Sequence, residues 1–168
     1  PGLRSAIDVL GFTQPTPIQR RSIPIGLAGK DLIAIAQTGT GKTLAFGIPL
    51  IQRLAQIKGR ALVLLPTREL AIQVDEALNS LGRAGGLRTG VLIGGASMYN
   101  QLRALDRKPR VILATPGRLL DHLEQRSVNL ADIQILVLDE ADRMLDMGFA
   151  PQIKRILATL PRERQTLL

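Results

Sequence analysis

The sequence predicts an α/β fold, a largely parallel β-sheet flanked by helices. Short apolar runs that read as strands alternate with segments of helical periodicity along the whole chain. Glycines and prolines punctuate the junctions between them. The residues with chemical character all follow the C-terminal ends of the apolar runs, where open parallel sheets bind their ligands.

Composition narrows the class. The chain has 168 residues and 45% hydrophobic content, enough for one domain with a substantial core and too apolar for a disordered segment. It contains no cysteine, so disulfides and thiolate metal sites are excluded, and a cytoplasmic location is expected. No run approaches the roughly 18 apolar residues of a membrane span, and no basic-then-apolar signal sequence opens the chain. The net charge of +8 and pI of about 11.0 suit a polyanionic partner such as nucleic acid. Aromatics make up 2%, which argues against stacking platforms as the main mode of binding it.

The elements follow in order. Leu3, Ala6, Ile7 and Leu10 have helical spacing closed by Gly11. Gly11 to Gln19 carries Pro15 and Pro17; Thr16 is placed to cap a helix with Pro17 at its first position, running toward Gly29 with a possible kink at Pro24. Asp31 to Ile35 reads as a buried parallel strand, and the segment from Leu44 to about Gln56 as a helix interrupted by Pro49. Further strands are expected at Arg60–Leu65, Arg88–Ile93, Arg110–Ala114, Ile133–Leu138 and Gln165–Leu168. Between them lie a helix capped by Thr67 with Leu70, Val74, Leu78 and Leu81 on one face, and a short helix over Met98–Leu105. A helix with Leu119, Leu120 and Leu123 comes next. One stopped by Gly148 and one started by Pro151 complete the set.

Ala36 to Thr43, Ala-Gln-Thr-Gly-Thr-Gly-Lys-Thr, is the most informative stretch. A strand, a glycine-rich turn and a helix form a phosphate-binding loop. Gly39 and Gly41 permit backbone conformations that aim successive N–H groups into one concavity, and the next helix adds the positive end of its dipole. Lys42 is placed to reach the β- and γ-phosphates of a nucleotide, and the Thr43 hydroxyl to ligate Mg²⁺. Asp139 and Glu140 come directly after the apolar run Ile135-Leu136-Val137-Leu138. In a phosphate-loop protein, an acid there holds Mg²⁺, directly or through water, and a second acid orients and deprotonates the attacking water.

Gly11 to Gln19, Ala36 to Thr43, Pro66 to Leu70, Gly94-Gly95, Thr115 to Arg118 and Asp139 to Asp142 occur in the order seen in DEAD-box RNA helicases, whose name is the tetrapeptide Asp-Glu-Ala-Asp. The chain resembles the first, RecA-like P-loop NTPase domain of that family over essentially its whole length. Asp142 to Phe149 and the compact build resemble the bacterial branch. The resemblance implies ATP and Mg²⁺ as cofactors and RNA as partner. It implies that Gln19 reads the adenine edge with Thr16 nearby and Phe12 beside the base. Thr38, Gly39, Thr40, Gly41, Lys42 and Thr43 form the triphosphate cradle. Catalysis falls to Lys42, Asp139 and Glu140, with Thr43 and Asp139 at the metal, Asp139 through water. Asp142 links nucleotide to interdomain contacts. Pro66, Thr67, Arg68, Gly95, Thr115, Gly117 and Arg118 grip one RNA strand along its sugar-phosphate backbone, with little sequence preference.

The family's pattern also includes an aromatic upstream of Gly11 and a Ser-Ala-Thr motif followed by a second RecA-like domain, none of which this sequence contains. Residues 1–168 are therefore expected to be the first of two such domains. Two other readings stand open here: a module that holds nucleotide or RNA without turnover, and an ATPase acting on DNA or protein. The glutamine motif and the Thr-Pro-Gly-Arg turn argue against the latter. His122 is expected to be a surface or packing residue, Met144 and Met147 to pack, and Arg20-Arg21 and Arg107-Lys108-Pro109-Arg110 to be solvated charge rather than RNA contacts.

Overall fold

The protein was analysed as a computed structural model, which describes residues 2–37 and 39–168. Five strands, β1 (Arg60–Leu64), β2 (Thr89–Leu92), β3 (Val111–Ala114), β4 (Ile133–Leu138) and β5 (Gln165–Leu167), form one sheet in the order β2-β3-β1-β4-β5. Every neighbouring pair is parallel. Helices supply the crossovers: α4 (Arg68–Gly82) between β1 and β2, α5 (Met98–Asp106) between β2 and β3, and α6 (Pro116–Glu124) between β3 and β4. The connection from β4 to β5 carries α7 (Ala141–Asp146) and α8 (Ala150–Thr159). Three helices precede β1: α1 (Gly2–Val9), α2 (Pro17–Leu27) and α3 (Lys42–Leu54).

Ala61–Leu64 of β1, all of β3 and Ile135–Leu138 of β4 are continuously apolar because both sheet faces are covered there. Side chains of β1 alternate: Leu62 and Leu64 enter a core with Leu119 of α6 and Ile156 of α8, while Ala61 and Val63 enter a second core with Leu50 of α3 and Val74 and Leu78 of α4. None of the five residues Ala61 to Leu65 is exposed at all. Full burial of side chains of this size is worth ~1.5–3 kcal/mol each for Leu and Val.

The helix boundaries follow the expected caps. Thr16 and Gln19 form a capping box at the start of α2, with Pro17 at the first helical position. The Thr67 hydroxyl accepts from the Leu70 N–H at 3.2 Å and caps α4. Pro24 and Pro49 lie inside α2 and α3, both of which run on through them.

Three expectations are corrected. Asp31 to Ile35 is not a buried strand. It is extended and bonded on one side only, Leu32 N–H to the Thr166 carbonyl at 3.0 Å and Ala34 N–H to the Leu168 carbonyl at 2.7 Å. No strand covers its outer side among the described residues, so Ile33 and Ile35 are 75% and 96% exposed. Met147 does not pack: it follows α7 at the helix C-cap and is 48% exposed, whereas Met144 is fully buried. Arg110 is not solvated charge. Its guanidinium donates to the carbonyls of Leu54, Ile57 and Gly59, filling the gap where α3 turns back into β1. Among the described residues no helix is long and apolar enough to cross a membrane.

Candidate nucleotide and nucleic-acid site

The C-terminal edge of the sheet carries two groups of functional residues. The turn ahead of α3 and the end of β4 lie toward one side; the ends of β1, β2 and β3 lie toward the other.

On the first side, Gly39 and Gly41 have φ of +81° and +86°, the left-handed region that glycine enters without penalty. Gly41 is the N-cap of α3 and has no side chain to satisfy the first helical N–H groups. The start of α3 therefore presents unpaired backbone donors and the positive end of the helix dipole, the elements of an anion site. The Thr40 hydroxyl donates to the Gln37 carbonyl at 2.6 Å and closes the turn. Thr38 lies outside the described residues. Lys42 and Thr43 occupy the first turn of α3.

Gln19 joins this turn from α2. It is 6% exposed, its Nε2 donates to the Gly41 carbonyl at 3.1 Å, and its Oε1 accepts the Thr16 N–H at 3.0 Å. A Cβ at Gly41 would overlap the Gln19 amide, so the glycine is required by contact as well as by φ. Each Gln19 amide atom keeps a further bonding position after these contacts. Phe12 is 48% exposed ahead of α2.

Asp139 ends β4, held by its N–H to the Leu64 carbonyl at 3.0 Å. Burial pushes its carboxyl above the usual carboxylate range; the Lys42 ammonium opposes this, Glu140 adds to it, and the Glu140 N–H bonded to it opposes it. Glu140 has φ +52°, a left-handed backbone in a residue with a Cβ, a strain that recurs at functional sites. A cavity of about 320 Å³ opens between α2, the 31–36 segment, α3 and the end of β4. Lys42, Asp139, Glu140 and Asp142 form its charged end, and Ile18 and Phe46 are among its apolar walls. With one lysine against three carboxylates, the charged end suits a polyanionic tail that arrives with a cation, and the apolar walls suit an apolar or aromatic part.

On the second side, Thr67 and Arg68 follow β1, Gly95 follows β2, and Thr115, Gly117 and Arg118 follow β3. Arg68, Gly95 and Gly117 are exposed, while Pro66 and Thr115 are buried. Gly95 has φ +70°, and a Cβ there would overlap the Arg68 guanidinium. Arg118 donates Nη1 to the Ala96 carbonyl at 3.1 Å and lies 3.4 Å from Asp121. Arg68 and Arg118, far apart in sequence, thus both reach the Gly95 turn, Arg68 packed against Gly95 and Arg118 bonded to Ala96 beyond it; no hydrogen bond joins Pro66, Thr67, Thr115 or Gly117 to the turn among the described residues. Asp142 stands exposed in the first turn of α7, on the nucleotide side.

His122 and Gln101 were not legible as parts of this site. Both are buried and hydrogen-bonded to each other, at 0% and 4% exposure. The available signal was position: Gln101 falls on the inner stripe of α5 with Met98 and Leu105, and His122 on that of α6 with Leu119, where a polar residue needs a partner.

Comparison with known proteins agrees with this geometry. The family described as DEAD/DEAH box helicase matches residues 16–168. The chain is 53% identical to the ATP-dependent rRNA helicase RRP3 of Yarrowia lipolytica, covering 96% of this chain and 34% of that protein. It is 49% identical to the ATP-dependent RNA helicase CshA of Listeria monocytogenes, covering 97% and 32%. The crystal structure of a hypothetical ATP-dependent RNA helicase from Sulfolobus tokodaii superposes with a TM-score of 0.91 at 36% identity, covering 99% of this chain and 48% of that one. The chain thus spans about a third of the length of these curated relatives. With a family match over residues 16–168 and a shared fold, the chain belongs to the DEAD/DEAH box helicases.

Proposed function

We propose that this chain is the first RecA-like domain of an ATP-dependent RNA helicase, binding ATP with Mg²⁺ on one half of its sheet edge and one RNA strand on the other. The observation that carries the reading is that division of the edge. Lys42 and the β4 acids line one cavity, while Arg68 packs on Gly95 and Arg118 bonds to Ala96 at the ends of the neighbouring strands. The cavity suits a nucleoside triphosphate bound with a cation, and the second group offers the exposed Arg68 guanidinium and the exposed backbone of Gly95 and Gly117, as sugar-phosphate contacts need.

Each residue has a role in this reading. Lys42 and the N–H groups at the start of α3 hold the β- and γ-phosphates. Gln19, with Thr16 and Phe12 nearby, reads the adenine, since a carboxamide pairs with adenine N6 and N7 as it cannot with guanine. Thr43 and Asp139 supply hard oxygen donors for Mg²⁺, Asp139 through water. A cation beside Asp139 also offsets the burial that penalises its charge. Among the described residues no cluster of three acid, histidine or cysteine side chains exists to hold a metal, so phosphate and water oxygens complete the set, as is usual for Mg²⁺. The bound ion neutralises charge on the phosphates. Glu140 orients the attacking water and takes its proton. Asp142 couples the nucleotide side to a second RecA-like domain.

The RNA helicases of fungal and bacterial origin similar to this chain support the substrate class. Within the family, the stretch from Asp142 to Phe149 favours the bacterial branch. A cytoplasmic site of action goes with an enzyme that needs ATP and RNA together.

Phosphoryl transfer also draws on positive charge at the departing phosphate, an arginine finger being worth roughly 10³–10⁵ in rate. Arg68 and Arg118 sit on the RNA half of the edge, and Arg118 is bonded to Ala96. We infer that a second RecA-like domain supplies the arginines when ATP and RNA jointly favour a closed state. The test is phosphate release from ATP with and without single-stranded RNA or DNA, by this chain and by a longer chain that includes such a domain. Nucleotide binding with almost no RNA-stimulated turnover is expected here, and RNA-selective turnover in the longer chain. Strong RNA-stimulated turnover by these 168 residues alone would overturn the division of labour.

A further inference from the structure

A buried chain of polar groups runs behind the Gly94–Gly95 turn, separate from the nucleotide cavity. Gln101 on α5 donates Nε2 to the Ile93 carbonyl at 2.8 Å. A carbonyl only accepts, so the amide nitrogen faces Ile93 and Oε1 faces the ring of His122, 2.9 Å from Nε2. The proton of the neutral imidazole is therefore on Nε2. Nδ1 is the bare nitrogen and accepts from the Ser127 hydroxyl at 2.7 Å, which also lies 3.0 Å from the His122 carbonyl. One turn earlier on α6, Arg118 holds the Ala96 carbonyl.

The backbone is thus held on both flanks of Gly94–Gly95, at Ile93 and at Ala96, and both holds trace to α6. One is direct, through Arg118. The other passes through Gln101, whose orientation His122 fixes. Gly95 is at the same time packed against Arg68 at the start of α4. Arg68 from the end of β1 and Arg118 from the end of β3 thus both meet the turn that follows β2, and its position bears on where the two guanidinium groups lie.

We propose that His122 is a positioning residue for RNA binding: through Gln101 it anchors the Ile93 carbonyl and holds the Gly94–Gly95 turn where Arg68 and Arg118 can engage the same sugar-phosphate strand. The proposal rests on the RNA reading above. A leucine at position 122 leaves Gln101 Oε1 buried without a donor, a state that α5 relieves by shifting and carrying the turn with it. A glutamine offers an N–H in place of Nε2 and keeps the anchor.

The experiment compares the unmutated chain with His122→Leu, His122→Gln, Arg68→Ala and Arg118→Ala. Binding of a fluorescein-labelled oligouridylate is followed by anisotropy, ADP binding by calorimetry, and exchange of the Gly94 and Gly95 amides by NMR. His122→Leu is expected to weaken RNA binding roughly tenfold and to speed exchange at the turn by a similar factor. His122→Gln returns both to within about threefold, and ADP affinity stays within about twofold throughout. The double variant Q101L/H122L removes both side-chain partners of that bond and leaves only the Ile93 carbonyl without its donor; it retains ADP binding and still binds RNA weakly. Unchanged RNA affinity in His122→Leu overturns the proposal, as does a loss of RNA and ADP binding together that His122→Gln leaves unrepaired. RNA binding that is absent, or indifferent to Arg68→Ala and Arg118→Ala, would instead refute the RNA reading. Amide exchange would then still report whether His122 holds the turn.

Discussion

Gln19 donates its side-chain N–H to the carbonyl oxygen of Gly41 at 3.1 Å, tying the first turn of α2 to the N-cap of α3. The same side chain accepts the Thr16 N–H, so the capping box of α2 and the phosphate loop share one carboxamide. Whatever Gln19 contacts in a nucleotide base is thereby linked to the backbone that faces the phosphates.

Gln19→Ala removes both bonds, each worth ~0.5–1.5 kcal/mol net, and frees the loop from α2. ADP affinity should fall roughly tenfold, and the preference for ADP over GDP should shrink. Parallel calorimetric titrations with the two nucleotides measure this. Equal binding of ADP and GDP by the unmutated chain would refute adenine reading by Gln19.

Lys42→Ala acts at the charged end of the cavity. It deletes a charge-assisted contact to phosphate worth ~1.5–3 kcal/mol, so ATP–Mg²⁺ affinity should drop at least roughly tenfold. It also removes the cation that offsets burial of Asp139, so the Asp139 carboxyl should titrate higher still in the variant. Carboxyl-detected NMR titration reads the second effect, calorimetry the first. An unaltered ATP affinity would dismiss the assignment of Lys42.

Much of this site was legible because its chemistry depends on local sequence. A left-handed turn needs glycine at 39 and 41, a helix cap needs Thr16 just ahead of Pro17, and a strand-end acid needs only an apolar run before it. The strand order was not legible, since β1 lies between β3 and β4 through crossovers that leave no mark on any strand. For the same reason the Leu32–Ile35 segment read as buried: its composition suits a central strand, and only the sheet order makes it a one-sided edge beside β5. Arg110 misled in the opposite way. Its partners, the Leu54 and Ile57 carbonyls, are remote in sequence, and a charged side chain with no visible partner reads as solvated.

Gly95→Ala separates the two halves of the edge. Alanine in the left-handed region costs ~1–2 kcal/mol, and its Cβ pushes against the Arg68 guanidinium. Arg68 can swing aside because the clash is at the far end of a flexible side chain, so the fold survives with a modestly lower melting temperature. Affinity for single-stranded RNA should fall several-fold while ADP binding is unchanged. A parallel loss of ADP affinity would show that the two halves are not separable in this way.

His122 gives the stability of the domain a dependence on pH whose direction is fixed by its surroundings. Burial first, and then the Arg118 guanidinium, hold its pKa below the ordinary histidine value of 6.5, with Asp121 opposing. Below that value the unfolded chain takes up a proton that the folded chain still refuses, so the unfolded state binds more protons and stability falls with falling pH. The contribution is complete above about pH 6.5 and is lost progressively as pH drops through the folded pKa. Asp139 and Asp75, whose pKa values are raised chiefly by burial, act with the opposite sign at lower pH, so the raw acid limb is a mixture. His122→Gln isolates the histidine, because glutamine keeps a donor toward Gln101 and does not titrate. Urea midpoints of the two proteins, measured at intervals from about pH 8 to pH 5, should differ by a gap that is constant above about pH 7 and shifts in favour of the variant as the pH falls. A gap that stays constant across the whole range would mean that the ring protonates equally in both states and that its burial among Gln101, Ser127 and Arg118 does not hold in solution.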